Sequence, residues 1–184
     1  GTNITGGTQN VLIGHEAGMT LLNSGACTAV GYNALKSTTG VNNTAVGRMT
    51  MPHLVSGVSN VAVGADALTN VGDADGTASD GSESYNTAVG AGALYSLEVS
   101  DGDHNTAVGY NAGRLFATDG STEVADLVQC TYLGSGTECG STSPSNEIAI
   151  GYATHGIGNN TVALGNTSMT AIKGQVDFAA YSDR

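Results

Sequence analysis

Nine times along the chain a large aliphatic residue stands directly before a glycine and closes a short apolar run, whose fullest form reads N-T-A-V-G-x-x-A-L. The glycines are Gly14, Gly31, Gly47, Gly64, Gly90, Gly109, Gly134, Gly151 and Gly165, separated by 17, 16, 17, 26, 19, 25, 17 and 14 residues. A period in the high teens marks a solenoid in which each repeat is stacked on the one before. The residue before each glycine is Ile13, Val30, Val46, Val63, Val89, Val108, Leu133, Ile150 or Leu164. Two positions earlier stands Val11, Thr28, Thr44, Val61, Thr87, Thr106, Thr131, Ile148 or Val162, every one β-branched. Between them lies Ala in seven copies, with Leu12 and Tyr132 as the exceptions. Size therefore alternates with the period of two that defines a strand.

The pattern predicts about nine parallel coils, which at about 4.8 Å per coil make a body roughly 40 to 45 Å long. Three residues after each glycine only a small side chain is admitted: Ala17, Ala34, Thr50, Ala67, Ala93, Ala112, Thr137, Thr154 or Ser168. Such a column implies a close approach of backbones, and the glycine supplies the dihedrals of a corner. Asn10, Asn43, Asn60, Asn86, Asn105, Asn146 and Asn160 are read as opening the strand, where their amides tie down a turn.

Composition argues for a shaft rather than an enzyme. Of 184 residues 28 are Gly, 2 are Phe and none is Trp, so the large side chains that fill a globular core are scarce. The Ala-lined strand face is therefore expected to need another surface, and identical chains packed about a common axis would provide it. A formal charge of -11, from 16 acidic and 5 basic residues, disfavours nucleic acid and anionic lipid as partners and suits an extracellular-type surface. No apolar run is long enough to cross a membrane. The chain starts inside its first repeat with no signal peptide to read, as a mature piece or an excised fragment would.

The repeat is interrupted by polar insertions at residues 72–84, 101–104 and 115–129, all placed to project from one edge. Asp73, Asp75 and Asp80 in the first are the candidate metal ligands, since carboxylates at alternating loop positions suit a hard cation. The glycines fall at the wrong places for an EF-hand or a calcium-binding β-roll, and a solvated acidic loop is the plain alternative. Cys27 and Cys130 occupy positions held by Asn in other copies. Cys139 follows Cys130 by nine residues, so a loop disulfide and three free thiols both stand open.

No Ser, His and Asp grouping, metal-ligand cluster or phosphate-cradling loop is present in the sequence pattern, and neither enzymatic activity nor a cofactor is expected. His15, His53, His104 and His155 share no spacing. Tyr32, Tyr110 and Tyr152 each follow a repeat glycine and are the candidate binding residues, able to stack on a sugar or to cover a neighbouring coil. Recurrent Thr28, Thr44, Thr87, Thr106, Thr131 and Thr161 raise an ice-binding alternative, against which stand the aliphatic replacements and the uneven period. A polysaccharide-degrading spike would need an acidic pair in a groove, and the acids here leave the strands.

The copies N-E-I-A-I-G and N-T-V-A-L-G resemble the head-domain motif of trimeric autotransporter adhesins, left-handed parallel β-rolls built as homotrimers. The N-T-A-V-G-x-x-A-L form is similar to repeats of bacteriophage tail fibres, and together these cover nearly the whole chain. The end, L-G-N-T-S-M-T-A-I-K-G-Q-V-D-F-A-A-Y-S-D-R, resembles the segment joining such a shaft to the self-cleaving intramolecular chaperone of tail-fibre and tailspike proteins. The resemblance implies a β-roll shaft over residues 1–171 and a connector over 172–184. It also implies cleavage of a longer precursor at Ser182, assisted by a Lys that would lie beyond Arg184, so the present chain is expected to be inert. The implied role is a homotrimeric, virion-borne or extracellular fibre that attaches to a host-surface glycan or protein receptor, with a bacterial surface adhesin as the alternative.

Overall fold

The computed structural model of the chain describes residues 4–71, 82–97, 102–114, 127–141 and 143–172. They form an all-β parallel solenoid of about seven turns, without a helix among the described residues. The strands Val11–Ile13, Thr28–Val30, Thr44–Val46, Val61–Val63, Thr87–Val89, Thr106–Val108, Thr131–Leu133, Ile148–Ile150 and Val162–Leu164 stack in chain order as one nine-stranded sheet. Each is the three-residue run before a repeat glycine, and equivalent residues stand directly opposite, as in Thr44↔Val61, Ala45↔Ala62 and Val46↔Val63. Two smaller parallel pairs, Thr20–Leu21 with Ser37–Thr38 and Asn70–Val71 with Ser96–Leu97, lie outside this sheet.

The corner after each strand explains the glycine. From Gly14 to Gly151 the eight repeat glycines have φ between 124° and 140°, which an L side chain rarely adopts. A Cβ would also strike the next coil: built on Gly31 it lies 2.2 Å from the Gly47 carbonyl oxygen, and on Gly90 2.2 Å from that of Gly109. In the six corners from Gly14 to Gly109 two more residues are left-handed. Among them Leu35, Met51, Leu68 and Leu94 have φ of 45° to 49°. A left-handed residue with a side chain costs roughly 1–2 kcal/mol. Burying a side chain of this size returns about 1.5–3 kcal/mol, and all four are 0–1% exposed, so burial wins.

Asparagine fixes the other end of the strand. The side-chain Oδ1 of Asn43 accepts from the Asn60 N–H, Asn60 from Asn86, Asn86 from Asn105 and Asn105 from Cys130, each at 2.9 Å. Their Nδ2 groups donate to the carbonyls of Gly57, Glu83, Gly102 and Leu127. Buried amides are thus satisfied along the stack. Cys130 continues the ladder: its thiol donates to Pro144 O at 3.4 Å and accepts from the Glu147 N–H at 3.4 Å. Asn146 and Asn160 do not belong to this column. They sit one residue earlier with φ of 53° and 59°, and Glu147 and Thr161 hold the equivalent places.

The expected facing of the strands is reversed. Ala29, Ala45, Ala62, Ala88, Ala107 and Ala149 are fully buried inside this chain's own coil. They share the narrow lumen with Leu21, Leu35, Met51, Leu54, Leu68, Leu94 and Leu127. The large aliphatics of the strands point outward instead: Ile13, Val63, Val89, Val108, Ile150 and Leu164 are 37–59% exposed. Alternation defines two faces, but lumen width decides which goes inside, and opposite walls leave room for only a methyl group on the strand side.

The two exceptions in the alanine column show that volume is conserved there. Leu12 is matched by Gly18, whose Cβ would lie 2.5 Å from Leu12 Cδ2. Tyr132 is matched by Gly113, whose Cβ would lie 3.0 Å from Tyr132 Cδ2. Both glycines replace the leucine of the A-L motif.

Two substitutions separate these constraints in a denaturant titration. Gly90→Ala should lose at least ~3 kcal/mol, because strain and a backbone clash act together. Ala107→Leu should lose about 1–3 kcal/mol by overpacking the lumen, whereas Tyr152→Ala at the exposed position after Gly151 should change the midpoint little.

Candidate functional site

The outer corner residue that follows each glycine forms a column along the solenoid: His15, Tyr32, Arg48, Ala65, Ala91, Tyr110, Ser135, Tyr152 and Asn166. No packing rule fixes its size, since it points away from the lumen. The three candidate tyrosines all lie here and are exposed, Tyr32 by 50%, Tyr110 by 62% and Tyr152 by 74%. The structure does not bring them together. With about 4.8 Å per strand, Tyr110 stands roughly 19 Å from Tyr32 and roughly 10 Å from Tyr152.

Their surroundings differ. Tyr32 covers the preceding coil, its ring stacked on His15 at 5.4 Å and 13°. Tyr152 accepts at its carbonyl from Asn166 Nδ2 at 3.0 Å, near the C-terminal end of the described sheet. Tyr110 has only Ala91 and Ser135 beside it in the column. It borders a recess of about 270 Å³ that it shares with Asp66, Tyr95, Asn111 and Arg114 over a floor of Ala65, Ala91 and Gly92. The Arg114 guanidinium sits 4.5 Å above the centroid of Tyr95 and donates to Asn111 Oδ1 at 3.3 Å. Asp66 accepts from Arg48 of the preceding coil.

The sequence pattern names Tyr110 as a candidate binding residue, together with Tyr32 and Tyr152, and does not name Asp66, Tyr95, Asn111 or Arg114. The signal that points to them is the consecutive pair Ala65 and Ala91 in a column that elsewhere holds His, Tyr and Arg.

Charge on the flanks is tied across coils. Lys36 Nζ lies 2.9 Å from Glu16, and that hydrogen bond holds the Glu16 carboxyl below its ordinary range. His155 Nδ1 lies 3.0 Å from Glu138. His53 is pushed below the usual imidazole range, chiefly by burial.

Chemistry-bearing groups of a second kind lie inside. Glu147 is fully buried, accepting from the Tyr132 hydroxyl at 2.8 Å and from the Gly158 N–H at 2.7 Å. Gly140 N–H adds contacts of 3.1 and 3.2 Å to its two oxygens. Burial pushes the Tyr132 phenol far above its usual range. The three cysteines are buried free thiols. Burial raises Cys27 and Cys130 and pushes Cys139 up to about 12. A thiol kept neutral is a poor nucleophile and metal ligand, so this interior cluster reads as a satisfied polar plug.

Among the described residues no group of three or more His, Cys, Asp or Glu could hold a metal ion, and no helix is long and apolar enough to cross a membrane. Asp73, Asp75, Asp80 and Ser182 lie outside the described residues. Comparison of the chain with protein families, with curated proteins and with solved structures gives no match.

The thiols generate a prediction with a definite sign. Their folded pKa values are raised above the ordinary 9.0, so their contribution to stability is complete below about pH 9. It should then fall as pH rises toward about 12, because the unfolded chain releases the protons first. A denaturant series across that window checks the slope, and an aromatic disulfide reagent at pH 8 should label the native protein far more slowly than the unfolded chain.

Proposed function

We propose that the chain is the shaft of a homotrimeric fibre that carries receptor binding at a host surface, as in a phage tail fibre. The observation that supports this most is the outer face of the nine-stranded sheet. The last residue of each strand is aliphatic in all nine, one straight column in which Ile13, Val63, Val89, Val108, Ile150 and Leu164 are each 37–59% exposed, and beside it runs a column of Thr, Val and Ile. A continuous apolar band along the length of a body marks an interface more than a water-facing surface. A closed cyclic assembly can cover such a band on every copy with the same patch. The partner surface is accordingly these outer columns and not the alanines.

The repeat motifs and the resemblance of the C-terminal segment support the tail-fibre setting over a bacterial adhesin, which would use the same trimeric body. On this reading nothing in the shaft catalyses, and the solenoid serves as a stiff, protease-resistant spacer between an anchor and a receptor.

Sedimentation equilibrium tests the assembly: the chain should run at three times its 18.3 kDa mass. Asp in place of Val63, Val89 and Val108 together should break it to monomers, because three carboxylates per chain would be buried unpaired. A wild-type chain that stays a folded monomer overturns the proposal.

The chaperone part is tested on a precursor extended beyond Arg184. Cleavage next to Ser182 should occur in that precursor, with the serine activated by a downstream lysine. Ser182→Ala should leave it uncut but still trimeric on a native gel. Efficient cutting of that variant would remove Ser182 from the proposal.

A further inference from the structure

We propose that the recess between Arg48 and Tyr110 is a saccharide-binding subsite that takes a single neutral pyranose ring of a glycan. This locates the receptor-binding part of the function proposed above, and it rests on that reading only for the source of the sugar.

The corner column makes the recess. Arg48 and Tyr110 stand three strand spacings apart, roughly 14 Å, and between them the two coils carry only Ala65 and Ala91. Small residues here are not a demand of the stack, because the same column accepts His15, Tyr32 and Tyr152 elsewhere. The volume left, about 270 Å³, sits just below the range of roughly 300–1,000 Å³ typical of small-molecule sites, which suits one ring and not a nucleotide or a peptide.

The lining has the two chemistries a pyranose requires. Tyr110 is 62% exposed and, unlike Tyr32 on His15, has no aromatic ring stacked on it among the described residues, so its ring can meet the C–H face of a sugar. Asp66, Asn111 and Arg114 supply carboxylate, amide and guanidinium groups for hydroxyls of both donor and acceptor character. These side chains are already held: Asp66 by Arg48, and Arg114 by Asn111 and the face of Tyr95. A preset lining loses less entropy on binding.

Charge selects the class. The Arg48 and Asp66 pair offsets itself, Arg114 lies against Asn111 and the face of Tyr95, and the formal charge of -11 on the chain outweighs that one cation in opposing an anionic sugar. A neutral hexose or N-acetylhexosamine is the ligand that fits.

Saturation-transfer difference NMR on the intact chain tests this with the methyl glycosides of glucose, galactose, mannose and N-acetylglucosamine, and with galacturonate as the anionic comparison. At least one neutral glycoside should receive transfer at millimolar concentration. Tyr110→Ala should weaken its binding about tenfold or more, Ala91→Trp should abolish it by filling the recess, and Tyr152→Ala should leave it unchanged. All three variants lie at exposed positions and keep the fold, and an unchanged melting curve checks that. No transfer from any neutral glycoside overturns the subsite, as does binding that survives Ala91→Trp or that favours galacturonate. Sedimentation reads the trimer separately, so a trimer without sugar binding sinks this inference alone.

Discussion

Every column of this molecule follows from one contact, the corner glycine lying under the carbonyl of the glycine in the next coil. Because a Cβ at Gly31 or Gly90 would lie 2.2 Å from that oxygen, no side chain fits, and the coils stack in register. Registry then forces equivalence. Once Gly14 stands over Gly31, Ile13 must stand over Val30 and Leu12 over Ala29, and the same holds along the sheet. A one-residue slip would turn the lumen face outward.

Registry also makes the interior a one-dimensional packing problem, solved coil by coil. Where the alanine column admits Leu12 or Tyr132, a leucine of the opposite wall becomes Gly18 or Gly113. The polar ladder behaves alike. Cys130 takes over the donor and acceptor roles of asparagine, and Glu147 next in line needs the Tyr132 hydroxyl and two backbone amides to remain buried. The three residues belong together: a carboxylate in that column would be costly without the phenol, and the phenol would not fit without Gly113.

Much of this was legible because the constraints act on consecutive residues. Three residues and a glycine specify strand, corner and spacing, so each strand of the main sheet lies where the pattern puts it. Facing was not legible. A bulky face normally goes inside, and only the width of the lumen, set by Leu35, Met51, Leu68 and Leu94 from the far wall, shows that alanine must go there. Asn146 and Asn160 misled for a related reason: asparagine suits both the ladder and the left-handed turn residue before it, and Glu147 and Thr161 had displaced it by one place. The recess escaped notice because its lining comes from three coils, with Asp66, Tyr95 and Arg114 far apart in sequence.

The division between constrained and free columns says where function can reside in such a fold. Lumen, corner glycine and ladder positions tolerate only compensated change, so they carry structure. The outer strand columns are uniformly aliphatic or Thr, as the trimer proposed above would require of a long shared surface. The corner column is free and varied, ranging from His15 and Arg48 to Tyr152. Variation there costs the stack nothing, and a deficit such as Ala65 followed by Ala91 creates a cavity without disturbing a single ladder hydrogen bond. A solenoid can therefore gain or lose a ligand site by exchanging one corner residue, while its shaft remains as stiff as before.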